Sequence, residues 1–285
     1  MIYISSSCIK SNTIEDSIRV LADEGFVNIE LSGGTDFKEG TLEELGKLKK
    51  EYQLNYLLHN YFPPPPVPFV LNLASLDDEI SRLTMQHLKM AIDWSVALNA
   101  KKYAFHAGFL INIPLDQIGK EIKKMNLFDS ELAYNCFNTN ISEIYEYAQG
   151  KVELYIENNV LNKKNYTEFG NVDPFFFTSS LNVDKIKWKN EYKTLLDVAH
   201  LKVSCNSLSL NFDQELSYLF DKTDYIHISD NDGLSDSNQG LKEDSDLFYS
   251  LSNVWKSGKT CTIEVYSGMN DIKMTFDLLQ QLNKI

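Results

Sequence analysis

The chain has 285 residues, 43% hydrophobic and 24% charged, a balance that supplies a large buried core and excludes a disordered polymer. A formal net charge of −13 repels phosphate backbones, so nucleic acid is not the expected partner. No run approaches the roughly 20 apolar residues that cross a bilayer.

In chain order, short apolar runs alternate with longer helical patterns. Ile2–Ser5 reads as a strand, and Thr13 with Asp16 resembles a capping box opening a helix that ends at Gly25. Residues 27–31 form the second strand, and Thr41 to Glu44 caps a second helix. Residues 54–59 make the third strand, followed by four prolines at 63–66 that exclude regular structure. A long amphipathic helix starts at 75–78 and runs to about Leu98. Lys102–His106 is the fourth strand, with helical sequence after it to about Gln149. Residues 152–157 are the fifth strand. The Asn- and Phe-rich stretch 158–190 has little periodicity and reads as a long loop with one short helix at most. Residues 194–197, 225–228 and 260–265 are the last three strands, with helices around 213–220, 246–255 and 271–282. Eight β–α units in this length predict a single-domain α/β fold, a closed (β/α)8 TIM barrel over 1–285, with a doubly wound open sheet as the alternative.

Chemistry concentrates at the strand ends. Four of the five histidines, His59, His106, His200 and His227, lie at or just beyond the C-terminal ends of expected strands, as do Glu30, Glu157, Asp197 and Glu264. In a (β/α)8 barrel these ends meet at one mouth, where active sites form. Carboxylates gathered there would repel one another unless a cation or protons compensated. Imidazole with carboxylate suits Mn²⁺, Zn²⁺, Co²⁺ or Fe²⁺, and Mg²⁺ less, one or two ions per chain. His87 falls mid-helix and reads as an ordinary helix residue. No Walker loop, GxGxxG or nucleophile elbow is present. Cys8, Cys136, Cys205 and Cys261 form no CxxC pair, as expected of free thiols in a reducing cytoplasm, and the N-terminal segment lacks the marks of a signal peptide. Only Arg19 and Arg82 are arginines, which favours a neutral substrate over a phosphorylated one.

The local motifs are LLHNY, FHAGF, IENN, LLDVAH, HISDND and IEVY, in that order. Through them the chain resembles the xylose isomerase-like barrel superfamily, which includes sugar isomerases and epimerases and the endonuclease IV type of apurinic-site nuclease. The resemblance implies a shared metal site at Glu157, Asp197, His227 and Glu264. It implies that Glu157 and Glu264 also move protons, with His200 steadying a substrate oxygen. In the nuclease branch a second metal would take His59 and His106 together with Glu157. A third would use His200 and an Asp-x-His, where this chain has Asp236-Ser237-Asn238, and a neutral amide is a poor Zn²⁺ ligand. Some epimerases place an arginine after the seventh strand; here that stretch carries Asp230 and Asp232 instead.

Three activities follow as expectations. The first is a divalent-metal-dependent isomerase or epimerase of a small sugar or polyol, with Glu30, Asp230, Asp236 and Asn238 as substrate-binding candidates. The alternatives are an endonuclease IV-like phosphodiesterase on abasic DNA and a keto-polyol dehydratase. Aromatic residues Tyr61, Phe62, Phe109 and those at 175–177 are placed in mouth loops, where they would stack on a sugar or simply pack. Barrels of this type often pair, so a homodimer is an open expectation.

Overall fold

Strand alternation explains the architecture seen in the computed structural model, which describes residues 1–186 and 192–284. Eight parallel strands, β1 (Ile2–Ser5), β2 (Asn28–Leu31), β3 (Asn55–His59), β4 (Lys102–His106), β5 (Glu153–Glu157), β6 (Lys193–Asp197), β7 (Tyr225–Ile228) and β8 (Thr260–Ile263), close in sequence order into a barrel. Outward positions such as Ile4, Ile29, Leu58, Phe105, Ile156, Leu196, Ile226 and Ile263 join one large core with the surrounding helices. Inward positions Tyr3, Leu57, Ala104, Tyr155, Leu195 and Tyr225 pack as a separate layer inside the barrel.

The period of two continues above and below that layer. Two residues toward the strand N-termini, Lys102, Glu153 and Lys193 meet Asp224 and the Tyr155 hydroxyl in an ionic network that closes the bottom. Two residues toward the C-termini stand Ser5, Glu30, His59, His106, Glu157, Asp197 and His227. The eight-strand register sets these polar ends side by side: Ser5 pairs with Glu30, His106 with Glu157, and Asp197 with His227.

The helices are α1 (Ile14–Asp23), α2 (Thr41–Glu51), α3 (Asp78–Ala97), α4 (Ser130–Ala148), α5 (Lys163–Glu168), α6 (Val198–Leu208), α7 (Phe212–Phe220), α8 (Asp246–Val254) and α9 (Met269–Leu282). Thr13 caps α1 by accepting from the Asp16 amide and donating to its carboxylate, as the sequence predicts. Among the described residues, no helix is long and apolar enough to cross a membrane.

Two regions depart from the sequence reading, and a third follows it in part. The stretch after β4 is not helical until Ser130; residues 107–129 form an irregular excursion with a one-turn 3-10 helix at Leu115–Gln117. Its apolar residues Ile111, Ile113 and Ile122 build a second small core with Val70, Leu161, Phe169 and Phe175, so their spacing reflects burial rather than helical period. Helix α6 is absent from the sequence reading. It is buried on nearly all sides and contains Ser204, Cys205 and Ser207, so it has no amphipathic stripe to read. The 158–190 segment contains α5 and a 3-10 turn at Ser180–Lys185; residues 187–190 of that expected loop lie outside the described residues.

Candidate active site

Glu157, at the end of β5, is the hub of the mouth. It is fully buried, and its carboxylate faces all four strand-end histidines. Oε2 lies 2.6 Å from His59 Nε2 and 3.2 Å from His106 Nδ1. Oε1 lies 3.5 Å from His227 Nδ1 and 3.6 Å from His200 Nδ1. Glu264, the residue after β8, approaches His227 Nδ1 from another side at 3.4 Å. The His227 ring nitrogen therefore stands between the two glutamates.

Asp197 ends β6 and begins α6 without a linker. Its Oδ1 accepts from the His200 amide at 2.7 Å, which caps the helix, while its own amide donates to Asn158 Oδ1 at 2.7 Å. That cap fixes His200 one turn on, where Nδ1 donates to the Asn158 carbonyl at 2.9 Å. A carbonyl only accepts, so Nδ1 carries the proton and Nε2 faces Asp236 Oδ2 at 3.2 Å and Asp197 Oδ2 at 3.8 Å. Asn238, held at φ 46°, accepts from the Ser229 hydroxyl and donates to Asp236 Oδ2 at 3.3 Å.

Electrostatics follow from this crowding. Burial opposes ionisation of Glu157, but the neighbouring His106 and His59 imidazoles hold its carboxyl well below the usual carboxylate range. Glu264 is opposed by burial in the same way and held by His227, down to about 2. Asp197 goes the other way: burial, resisted by His200, pushes it up to about 7. Burial disfavours charge on His200 and His227, yet their carboxylate neighbours raise both well above the ordinary histidine value. His106 is dominated by burial and is lowered to about 4.

Several atoms in this cluster lack a hydrogen-bond partner although buried: Glu157 Oε1, Asp197 Oδ2, His227 Nδ1, His106 Nδ1 and Asp236 Oδ1. Unpartnered buried acceptors at this density are costly unless something electropositive meets them. Three sets of side chains bring one ligand atom each within 4.8 Å of one another: His59, Glu157 and His227; His106, Glu157 and His200; and Glu30, His227 and Glu264. Mixed imidazole and carboxylate donors with free lone pairs fit a divalent cation of the Zn²⁺, Mn²⁺, Fe²⁺ or Co²⁺ type.

A cavity of about 430 Å³ opens over this cluster. Of the residues anticipated from sequence, His59, His106, Glu157, His200, Asp236, Asn238 and Glu264 line it, together with Tyr61, Gly33 and Gly34. Asp197, His227 and Glu30 lie beneath it, fully buried. Glu30 faces His227 Nε2 at 3.1 Å rather than the cavity. Asp230 is turned aside: Lys202 donates to its Oδ1 at 2.7 Å. Of the aromatic residues, Phe62, Phe176 and Phe177 are core residues, Phe176 stacking on Tyr134 at 3.9 Å. Ser7, Lys10, Asn60 and Tyr266 also line the cavity and were missed. Each follows a strand by a few residues, and Asn60 and Tyr266 fall inside the LLHNY and IEVY motifs. Gly108, two residues past His106, admits the Ala74 side chain so closely that a Cβ there would sit 2.7 Å from Ala74 Cβ.

A closed eight-stranded barrel with its polar ends at one mouth defines the class. The xylose isomerase-like TIM barrel family profile matches residues 18–283, and the chain belongs to that family. No curated protein matches the chain significantly. Among solved structures, a D-tagatose 3-epimerase-like protein superposes with a TM-score of 0.71 at 16% identity, covering 99% of this chain and 97% of the other. The 3-keto-D-glucoside 4-epimerase of E. coli gives 0.66 at 14% identity, covering 100% and 99%. An AP endonuclease, family 2, from Brucella melitensis gives 0.64 at 13% identity, covering 96% of each. At such identities the likeness concerns the fold.

Proposed function

We propose that the protein is a divalent-metal-dependent isomerase or epimerase of a small sugar or polyol, in which Glu157 and Glu264 move the proton. The observation that carries this is the placement of His227 Nδ1 between the two glutamates, at 3.5 Å and 3.4 Å, with both carboxylates lining the same cavity. Glu157, Asp197, His227 and Glu264 are the ligand set, with His59 and His106 available to a second ion beside Glu157. A bound cation would polarise a substrate carbonyl and acidify the adjacent C–H. One glutamate removes that proton and the other returns one on the opposite face, which inverts or relocates the centre. Both carboxyls are held ionised by their imidazole neighbours, so either starts as the base, and the one that returns a proton must first take it from solvent in the cavity. His200, its Nδ1 tied to a backbone carbonyl, presents Nε2 toward the substrate oxygen together with Asp236. The epimerase names of two superposing structures agree with this reading.

A screen of ketoses and polyols with Mn²⁺, Co²⁺ or Zn²⁺ tests it. Conversion of one of them, abolished in both Glu157→Gln and Glu264→Gln with the fold retained, is the expected outcome. Full activity in either variant rules the two-glutamate mechanism out.

One observation favours phosphodiester cleavage at abasic DNA as a second reading: the His59, Glu157 and His106 arrangement, with Glu157 Oε2 within 3.2 Å of both rings. The neutral Asn238 and the net charge of −13 weigh against it. Nicking of abasic duplex by the metal-loaded protein would establish it.

A further inference from the structure

A second chamber of about 290 Å³ adjoins the carboxylate cavity and shares Tyr61, His106, His200 and Asp236 with it. Its other walls come from the irregular 107–129 excursion and the segment after β5: Phe109, Ile113, Ile118, Ile122, Val160 and Phe175. Phe109 and Phe175 stand edge to face with centroids 5.4 Å apart. The small core under the excursion holds these walls independently of the barrel core.

The unpartnered polar atoms, His106 Nδ1 and Asp236 Oδ1, belong to the mouth shared with the carboxylate cavity, while several polar groups farther along the chamber wall are engaged. Asn159 Nδ2 donates to the carbonyls of Ala107, Gly108 and Phe176. Asn165 accepts from the Ile122 amide and donates to the Lys120 carbonyl, and Asn162 accepts from the Asn165 amide. Lys120 Nζ donates to the Asp116 carbonyl. Hydroxyl groups laid against the Phe109, Ile113, Ile118, Ile122, Val160 and Phe175 wall would lose water without gaining partners, whereas an aromatic ring gains the Phe109 and Phe175 rings and three isoleucines.

We propose that this chamber receives an aryl group carried by the substrate, so that the molecule turned over is an aryl glycoside of a keto sugar rather than a free monosaccharide. The inference rests on the epimerase reading above and names its substrate class. A glycosidic bond locks the anomeric carbon, so the carbonyl beside which Glu157 and Glu264 work is a ring ketone. The aryl group extends past His106 and His200 while the ketone stays over the carboxylates.

Calorimetric titration of the purified full chain with phenyl β-D-glucopyranoside and methyl β-D-glucopyranoside tests this directly, since both carry the same sugar. The phenyl glycoside should bind about tenfold tighter. Phe109→Ala should reduce that ratio to below about threefold without changing methyl glycoside affinity. Ile118→Asp should do the same, and Ile118 is 39% exposed, so a charge there leaves the fold intact. Equal affinities, a ratio that survives both substitutions, or no binding of either glycoside overturns the inference. Conversion of a free ketose with no phenyl preference would remove this inference and leave the epimerase reading standing. A phenyl preference without any conversion of keto sugars would remove the epimerase reading, and the inference with it, and leave only an aryl-binding chamber.

Discussion

Glu30 Oε1 lies 3.1 Å from His227 Nε2, and this contact decides which side of the imidazole is free. A carboxylate accepts from Nε2–H, so Nδ1 is the ring nitrogen directed at the gap between Glu157 and Glu264, available to a cation once its proton leaves. Glu30 is itself fixed by the Thr262 hydroxyl at 3.1 Å and is fully buried. Its carboxylate meets the His227 ring directly and acts through it.

Removing that orientation should weaken the metal before it touches the chemistry. Glu30→Gln is expected to lower metal affinity by roughly 10–100-fold, with kcat at saturating metal changed much less. Competition against a fluorescent chelator reads the affinity. Loss of kcat at full metal occupancy would instead place Glu30 on the substrate.

Asp197 has two jobs that one pair of variants separates. Oδ1 caps α6, and Oδ2 is buried without a hydrogen-bond partner. Asparagine caps about as well as aspartate, so Asp197→Asn should keep thermal stability within about 1 kcal/mol while metal content falls. Asp197→Ala should lose the cap as well, at a further cost of about 1 kcal/mol. Elemental analysis showing unchanged metal in Asp197→Asn would displace Asp197 from the ligand set.

Acid stability should carry the mark of His87. Both ring nitrogens lack a partner, Tyr61 and Phe69 are its ring neighbours, and burial lowers it to about 4 from an ordinary 6.5. The folded state therefore binds this proton less readily than the unfolded chain. The contribution is complete above pH 6.5, declines as pH falls, and levels off below about 4. At roughly 1.4 kcal/mol per pH unit, the full loss comes to about 3 kcal/mol. Urea unfolding at several pH values should show this slope in the native protein and a shallower one in His87→Phe. Identical slopes would mean that His87 meets a partner in solution.

Adjacent phenylalanines should behave differently. Phe176 is fully buried, stacked on Tyr134 and edge-on to Phe137, so Phe176→Ala should cost about 3–5 kcal/mol of stability. Phe175 lines the apolar chamber, so Phe175→Ala should alter aryl binding more than the unfolding midpoint. A reversed pattern in denaturation and titration would exchange their roles.

The strand-end residues were legible because a barrel converts sequence position into place. Once His59, His106, Glu157 and His227 stand at the ends of parallel strands, period-two alternation turns them inward at the same end of the barrel. The sequence does not say which polar end touches what. Asp230 and Glu30 looked equivalent as polar groups after strands, yet one is paired to Lys202 and the other braces His227. Those outcomes depend on loop paths and on α6, whose all-round burial erased its helical signature. The apolar chamber was illegible because the stretch after the fourth strand reads as helical sequence, whereas Ile113, Ile118 and Ile122 are loop walls.

The most direct measurement is proton exchange in D₂O, with the metal-loaded protein, a panel of keto sugars and NMR detection at the carbon beside the carbonyl. The account predicts deuterium incorporation by the native protein and none by Glu157→Gln or Glu264→Gln at equal metal content. Epimerisation without deuterium incorporation, or undiminished incorporation in both variants, would contradict it.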